Sequence, residues 1–315
     1  MKVAVCSRSF SANPQLRAEL LEAWPEARFN DSQRTLAGAE LAEFIGDAEG
    51  AVIGLETVDE ALLARTPALR VVAKYGVGLD RVDLEALSAR GIGVGWSGGV
   101  NAQAVAEVVL ARTIDLLRGL SESDAAVRRG GFPARVGREI SEITLGIYGC
   151  GAVGKAVARV FRALGARVLA HDLRDFPEFY AASGVIPVDL PTLLAGSDVL
   201  TVHVPLTPRT QAALGGSALD ALPRGALLSN TARGGSVDER ALAQRLSSGQ
   251  LGGAAFDVFD PEPPVDLELL GAPNLLLSAH LGGSSRRAHL AMGRAAIMGL
   301  GQPRDAGVRR GELGV

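Results

Sequence analysis

The chain has 315 residues, of which 47% are hydrophobic and 21% charged, a composition that fits a globular protein of about two domains and excludes disorder and fibres. Its 32 basic and 35 acidic side chains give a formal charge of −3, scattered without the basic stripe that a nucleic-acid partner requires. No apolar run is long enough to span a bilayer and no hydrophobic leader follows Met1, so no membrane partner is expected. Cys6 and Cys150 stand alone in apolar segments, which points to a reducing cytoplasmic setting with neither a disulfide framework nor a metal site.

In chain order, short β-branched runs alternate with helical patterns: a strand at Val3–Val5, a helix at Leu16–Ala23, then strands at Ala51–Ile53 and Leu69–Ala73. Asn101–Arg129 contains no breaker except Gly119 and predicts one long helix. It is apolar on most of its faces, so it is either buried between domains or subunits or serves as a core helix of one domain. A second series follows, with strands at Leu145–Tyr148, Val168–Ala170, Val199–Val202, Ala226–Leu228, Gly253–Phe256 and Leu275–Leu277. Two α/β domains with parallel sheets are expected. The Gly- and Arg-rich tail from Gln302 to Val315 has little to bury and is expected to be loosely held.

The stretch Gly149-Cys-Gly151-Ala152-Val153-Gly154-Lys155 places GxGxxG between a strand and a helix. The first glycine permits a tight turn, the second lets backbone approach a pyrophosphate, and the third lets the helix pack closely on the strand. Asp172 ends the next strand, 21 residues beyond Gly151, where a carboxylate can hold ribose hydroxyls. The pattern therefore reads as an NAD site. A 2′-phosphate would meet Asp172 with like charge, although Arg174 nearby leaves dual use open.

Nicotinamide chemistry moves a hydride, so the same site needs a base for the hydroxyl proton and a cation for charge on oxygen. His280 follows a strand end in Ser278-Ala-His-Leu-Gly-Gly283, and Arg233 follows another in Asn230-Thr231-Ala232-Arg-Gly-Gly. Strand carboxyl ends are where open α/β sheets bind ligands. Glu262 precedes His280 by 18 residues and could orient its ring.

With these pieces in order, the chain resembles the D-isomer-specific 2-hydroxyacid dehydrogenases, the group that includes 3-phosphoglycerate dehydrogenase. Seven segments carry the resemblance: Lys74-Tyr-Gly-Val-Gly-Leu-Asp80, Val105-Ala-Glu107, the glycine loop, His203-Val-Pro-Leu-Thr207, Asn230 to Glu239, Ala255 to Pro263, and Ala279-His-Leu-Gly-Gly283. The resemblance implies a flavodoxin-like substrate domain, 1–97 plus 286–315, and a Rossmann dinucleotide-binding domain, 98–285, with the substrate in a cleft between them. It implies that Arg233 grips the substrate carboxylate and carbonyl oxygen, that His280 exchanges the proton, and that Glu262 raises the basicity of His280. Asp257 would contact the nicotinamide end, and His203, Pro205, Thr231, Ala232 and Gly282 would complete the NAD site. The amides from Gly76 through Val77 to Gly78, flanked by Lys74 and Tyr75, would hold the substrate. A homodimer built on the helix from Asn101 is expected, as is the absence of a regulatory domain after Leu300. Arg81 stands where the family commonly has Asn. Rival readings on the same scaffold are a hydroxyphosphonate or phosphite-type dehydrogenase and an NAD-sensing corepressor-like binding protein.

Lysine occurs only at positions 2, 74 and 155, whereas arginine supplies every other cation. Lys74 beside an anion-holding loop suggests a substrate with a second negative group, a phosphate, phosphonate or carboxylate. The alternative is a lysine that ends a strand and points to solvent.

Overall fold

A computed structural model describes residues 1–307, and the chain divides into two compact units: Met1–Asn101 with the segment from Ser285 on, and Ala102–Ser284. The first unit contains strands β1 (Val3–Val5), β2 (Arg28–Phe29), β3 (Gly50–Ile53), β4 (Val71–Lys74) and β5 (Gly93–Gly95). They pair in parallel in the order β2-β1-β3-β4-β5, the flavodoxin-like arrangement. The strands β1, β3 and β4 are buried throughout, as parallel strands covered on both faces must be. Alternate residues feed two cores. Val3, Val5, Val52 and Ala73 pack with Leu16, Leu20, Ala296 and Leu300, while Ala4, Ala51, Ile53 and Val72 pack with Leu41, Ile45, Leu63 and Leu87.

The helix Pro14–Ala23 begins with Pro in its first turn, and Asn13 accepts hydrogen bonds from the amides of Gln15 and Leu16, satisfying donors that the helix start leaves open. The last helix, Arg286–Gly301, lies against β5 at backbone distance. A Cβ on Gly95 would sit 2.5 Å from the carbonyl carbon of Gly299, so neither position tolerates a side chain.

The second unit contains β6 (Thr144–Tyr148), β7 (Arg167–His171), β8 (Ile186–Pro187), β9 (Val199–Val202), β10 (Ala226–Asn230), β11 (Leu251–Phe256) and β12 (Leu275–Leu277). All are parallel, in the order β12-β11-β10-β9-β6-β7-β8, the doubly wound dinucleotide-binding topology. The winding reverses between β6 and β9, and the crevice at the carboxyl ends of those strands is the expected ligand position. Leu145, Ile147, Val168 and Val199 meet Val105, Val109, Val157 and Phe161 on one face, while Leu200, Val202, Leu228 and Phe256 meet Leu219, Leu242 and Leu246 on the other.

Two expectations are corrected. The helix expected over Asn101–Arg129 is two helices, Ala102–Arg118 and Leu120–Arg128, separated by Gly119 in the left-handed conformation (φ 65°, ψ 41°), which glycine alone adopts without penalty. The first buries Ala102, Val105, Ala106, Val109, Thr113 and Leu117 as one stripe on the second unit, as a core helix of that unit; the second buries none of its residues. The tail is also not wholly loose. Arg304–Asp305 forms β13, antiparallel to β5, and Ala306 is buried; the rest of that expectation, 308–315, lies outside the described residues. Among the described residues no helix is long and apolar enough to cross a membrane.

Candidate functional site

The turn after β6 and the helix that follows it carry Gly149, Gly151 and Gly154. Gly149 has φ 98°, and a Cβ there would lie 2.7 Å from the carbonyl carbon of His203. A Cβ on Gly154 would collide with the Gly149 carbonyl, whereas one on Gly151 would meet nothing nearer than the Arg174 guanidinium at 3.8 Å. The floor beside Gly151 is therefore open to a ligand. Ala152 and Val153 open the helix Ala152–Ala163, for which Gly151 is the N-cap without a side-chain bond, so its first amides remain available to an anion. Asp172 follows β7 directly and has both oxygens engaged: Oδ2 accepts from the Cys150 amide at 2.7 Å and Oδ1 from the Arg174 amide at 2.8 Å. The carboxylate thus ties the glycine loop to the next strand and keeps lone pairs for ribose hydroxyls.

Two of the enclosed polar atoms that have no partner among the described residues lie just beyond the ends of β9 and β10. They are His203 Nδ1 and Thr231 Oγ1. His203 Nε2 pairs with Thr201 Oγ1 at 2.9 Å, and burial pushes the ring's pKa down to about 3, so it is neutral at physiological pH. Buried polar atoms without partners are costly, and a polar ligand would relieve both. The Pro205 carbonyl accepts from Thr210 Oγ1 at 2.6 Å, which fixes the loop after β9. Cradle, carboxylate and orphaned atoms together fit a dinucleotide. His171 is committed elsewhere, stacking on Tyr148 and pairing its Nδ1 with the Val188 carbonyl at 3.0 Å.

Arg233, Glu262 and His280 come from the loops after the adjacent strands β10, β11 and β12. Glu262 and His280 are in direct contact: His280 Nδ1 lies 3.1 and 2.9 Å from the two carboxylate oxygens. The Phe259 amide donates to Glu262 Oε1 at 3.2 Å, holding that carboxylate in place. With Nδ1 donating to Glu262, Nε2 is the nitrogen left to exchange a proton. Arg233 sits on the neighbouring turn, whose shape is set by Asn230: its Oδ1 accepts from the Ala232 amide at 3.1 Å and its Nδ2 donates to the Arg233 carbonyl at 3.0 Å.

Asp257, expected at the nicotinamide end, spends its carboxylate on the loop that carries His280. Oδ1 accepts from Ser278 Oγ at 2.6 Å and the Leu281 amide at 2.8 Å, and Oδ2 accepts from the Gly282 amide at 2.7 Å. The His280 amide also donates to the Asp257 carbonyl at 2.9 Å, and His280 takes the left-handed φ of 53°. Sequence reasoning missed Ser278, Asn230 and Glu239 as supports. Glu239 accepts from the Asp260 amide at 3.3 Å, and burial pushes its carboxyl pKa up. The signal for Asn230 and Ser278 was a polar residue at a strand end, and for Glu239 a carboxylate opening the helix Glu239–Ser247; neither alone distinguishes a ligand contact from a turn brace.

In the first unit, Lys74 does not point to solvent. Its side chain is buried and donates to the Gly54 carbonyl, while the buried Glu56 accepts from the Gly54 amide at 2.6 Å. Lys74 Cε lies 3.4 Å from the position of a Cβ on Gly76, whose φ is 135°, so the lysine supports the Gly76–Gly78 turn from below. Tyr75 is buried, its hydroxyl 3.1 Å from His289 Nδ1. The Val77 carbonyl accepts from Trp96 Nε1 at 2.8 Å, and Arg81 Nη1 donates to the Leu55 carbonyl at 3.2 Å.

Residues 110–282 match the profile of the D-isomer specific 2-hydroxyacid dehydrogenase, NAD binding domain. The chain is 42% identical over 230 residues to the (S)-sulfolactate dehydrogenase of Chromohalobacter salexigens, covering 72% of this chain and 74% of that protein. It is 38% identical over 237 residues to the D-3-phosphoglycerate dehydrogenase of Mycobacterium leprae, covering 74% of this chain but 44% of that longer protein. A crystal structure from Thermus thermophilus superposes with a TM-score of 0.85 at 34% identity, covering 95% of this chain and 96% of its own. The chain belongs to the D-isomer specific 2-hydroxyacid dehydrogenases, NAD-dependent oxidoreductases.

Proposed function

We propose that the protein interconverts a small D-2-hydroxy acid and its 2-keto acid, with Arg233, Glu262 and His280 as the groups that act on the substrate. The observation that carries this reading is the Glu262–His280 contact, with carboxylate oxygens 3.1 and 2.9 Å from Nδ1. NAD, when bound at Gly149, Gly151, Gly154 and Asp172, supplies the acceptor or donor of the hydride. In the oxidative direction, neutral His280 takes the hydroxyl proton at Nε2, and Glu262 stabilises the resulting imidazolium. In reduction, the protonated ring returns that proton to the carbonyl oxygen. Arg233 supplies a permanent cation for the substrate carboxylate and for charge on the reacting oxygen. The turn at Gly76, Val77 and Gly78 offers backbone amides to the carboxylate.

Lys74 enters this reading as the brace of that turn. The residue that suggested a second anionic group is engaged with the Gly54 carbonyl, so the substrate class rests on the 2-hydroxy acid alone. The sulfolactate and phosphoglycerate dehydrogenase relatives keep substrates with a second anion within the set to be assayed. We assign the first unit to the substrate and the second to NAD. A homodimer and a reducing compartment complete the reading: the helix Leu120–Arg128 buries nothing and the neighbouring Phe132 and Val136 are exposed, and both cysteines are buried, unpaired thiols. The test is a screen of D-2-hydroxy and 2-keto acids following NADH absorbance, with His280→Ala alongside. Loss of turnover in that variant with NADH binding retained is expected; unchanged turnover would overturn the assignment.

A further inference from the structure

Asp172 is the residue that should repel a 2′-phosphate, yet its surroundings offset its charge. Both carboxylate oxygens accept backbone N–H bonds, and Arg174 Nε lies 3.8 Å from Oδ1. The same guanidinium reaches toward the open floor of the glycine loop, with Nη2 3.8 Å from the position a Cβ would take on Gly151. It is not a random surface cation. Its guanidinium carbon lies 5.3 Å from the centre of the Phe176 ring, and Lys155 Nζ sits 3.5 Å from the centre of that ring. Lys155 is one of only three lysines in the chain. Phe176 therefore gathers two cations at the edge of the cradle by cation–π attraction. Arg174 is still half exposed, so its planar fork can turn to a phosphate, which it matches with two parallel hydrogen bonds.

We propose that Arg174 makes the adenosine end of this site accept a 2′-phosphate, so that the chain uses NADPH alongside NADH. The inference rests on the dinucleotide reading of the second unit and adds a specificity residue to it. Asp172 supplies ribose contacts when the 2′ position is a hydroxyl; Arg174 answers the charge when that position is phosphorylated.

The experiment isolates this end of the cofactor by measuring calorimetric binding of 5′-AMP and of adenosine 2′,5′-bisphosphate to the full chain, at low and moderate salt. The bisphosphate is expected to bind no weaker than 5′-AMP at low salt and to lose more affinity as salt rises, the signature of a phosphate–cation contact. Arg174→Ala should weaken the bisphosphate by about tenfold or more while leaving 5′-AMP within about twofold. The ratio of kcat/KM for NADPH over NADH should fall in parallel. A wild-type chain that binds 5′-AMP but holds the bisphosphate more than about tenfold weaker overturns the proposal, as does an Arg174→Ala variant that weakens both nucleotides equally or neither. If the wild-type chain binds neither nucleotide, the dinucleotide reading itself fails and this inference with it.

Discussion

Replacing Asp257 tests whether His280 is held in place by a buried carboxylate. Asp257 is 2% exposed and accepts three hydrogen bonds from the loop that carries His280. In Asp257→Ala the Ser278 hydroxyl can rotate to another acceptor and the Leu281 amide can reach water, but the Gly282 amide is left buried without a partner. An abandoned buried donor costs about 1–3 kcal/mol, and each lost charged hydrogen bond about 1.5–3 kcal/mol; allowing for rehydration, a total near ~3 kcal/mol is expected. At ~2–4 °C per kcal/mol for a domain of this size, that corresponds to a fall of about 6–12 °C in the melting transition that NADH stabilises. Asp257→Asn keeps one acceptor oxygen and should lose about half as much. Hydrogen exchange separates positioning from general destabilisation: the amides of Leu281 and Gly282 should exchange faster in the Asn variant while those of β6 and β9 do not. Alongside this, kcat should fall more than NADH affinity. Unchanged protection of Leu281 and Gly282 in a variant with wild-type kcat would refute the reasoning.

Lys74→Ala should raise KM for a simple D-2-hydroxy acid and for one carrying a second anionic group by similar factors and cost about 1–3 kcal/mol of stability, because the Gly54 carbonyl loses its donor; a loss confined to the dianionic substrate would restore a second anionic subsite. Burial pushes the Cys150 thiol up to about 11. It is therefore protonated at pH 8 and becomes a thiolate only as pH approaches that value, so labelling by a disulfide reagent at pH 8 should run at least about 100-fold slower than for a free thiol. Rapid labelling of the native protein would contradict that burial. Sedimentation at micromolar concentration should show a dimer, and a single monomeric species would remove the role assigned to the exposed Phe132 and Val136.

What could be read from the sequence was local in origin. The glycine loop and Asp172 lie within one βαβ unit, so spacing alone brings them together. Strand runs such as Val199–Val202 announce themselves because they are buried on both faces. The order of Arg233, Glu262 and His280 at strand ends was also legible, since each loop follows a recognisable strand. What escaped depended on partners distant in sequence. Gly119 looks tolerable in a helix at a cost of about 1 kcal/mol, and only its left-handed φ of 65°, with the Arg135 guanidinium standing where a side chain would go, shows why the helix stops. Lys74 reads either as a cation for a second anionic group or as a solvated strand end until the Gly54 carbonyl arrives from beyond another strand. Asp257 carries no mark that separates a cofactor contact from a brace, because its three donors come from a loop more than twenty residues on.

The first unit takes its closing pieces from the far end of the chain. The face built from Val3, Val5, Leu16 and Leu20 is covered by Ala296 and Leu300, and β5 remains an open edge until Arg304–Asp305 pairs with it. During synthesis the whole of Ala102–Ser284 emerges in between. At roughly 5–20 residues per second, the nascent sheet waits on the order of ten to forty seconds with an apolar face and an unpaired edge exposed. The inserted unit, continuous in sequence, has every strand of its own sheet in hand before the first unit can close. Such an order makes the early segment a natural client for a chaperone that shields apolar surface near the ribosome, and it makes assembly of the first unit, rather than of the dinucleotide-binding fold, the step at which a nascent chain is most exposed to aggregation.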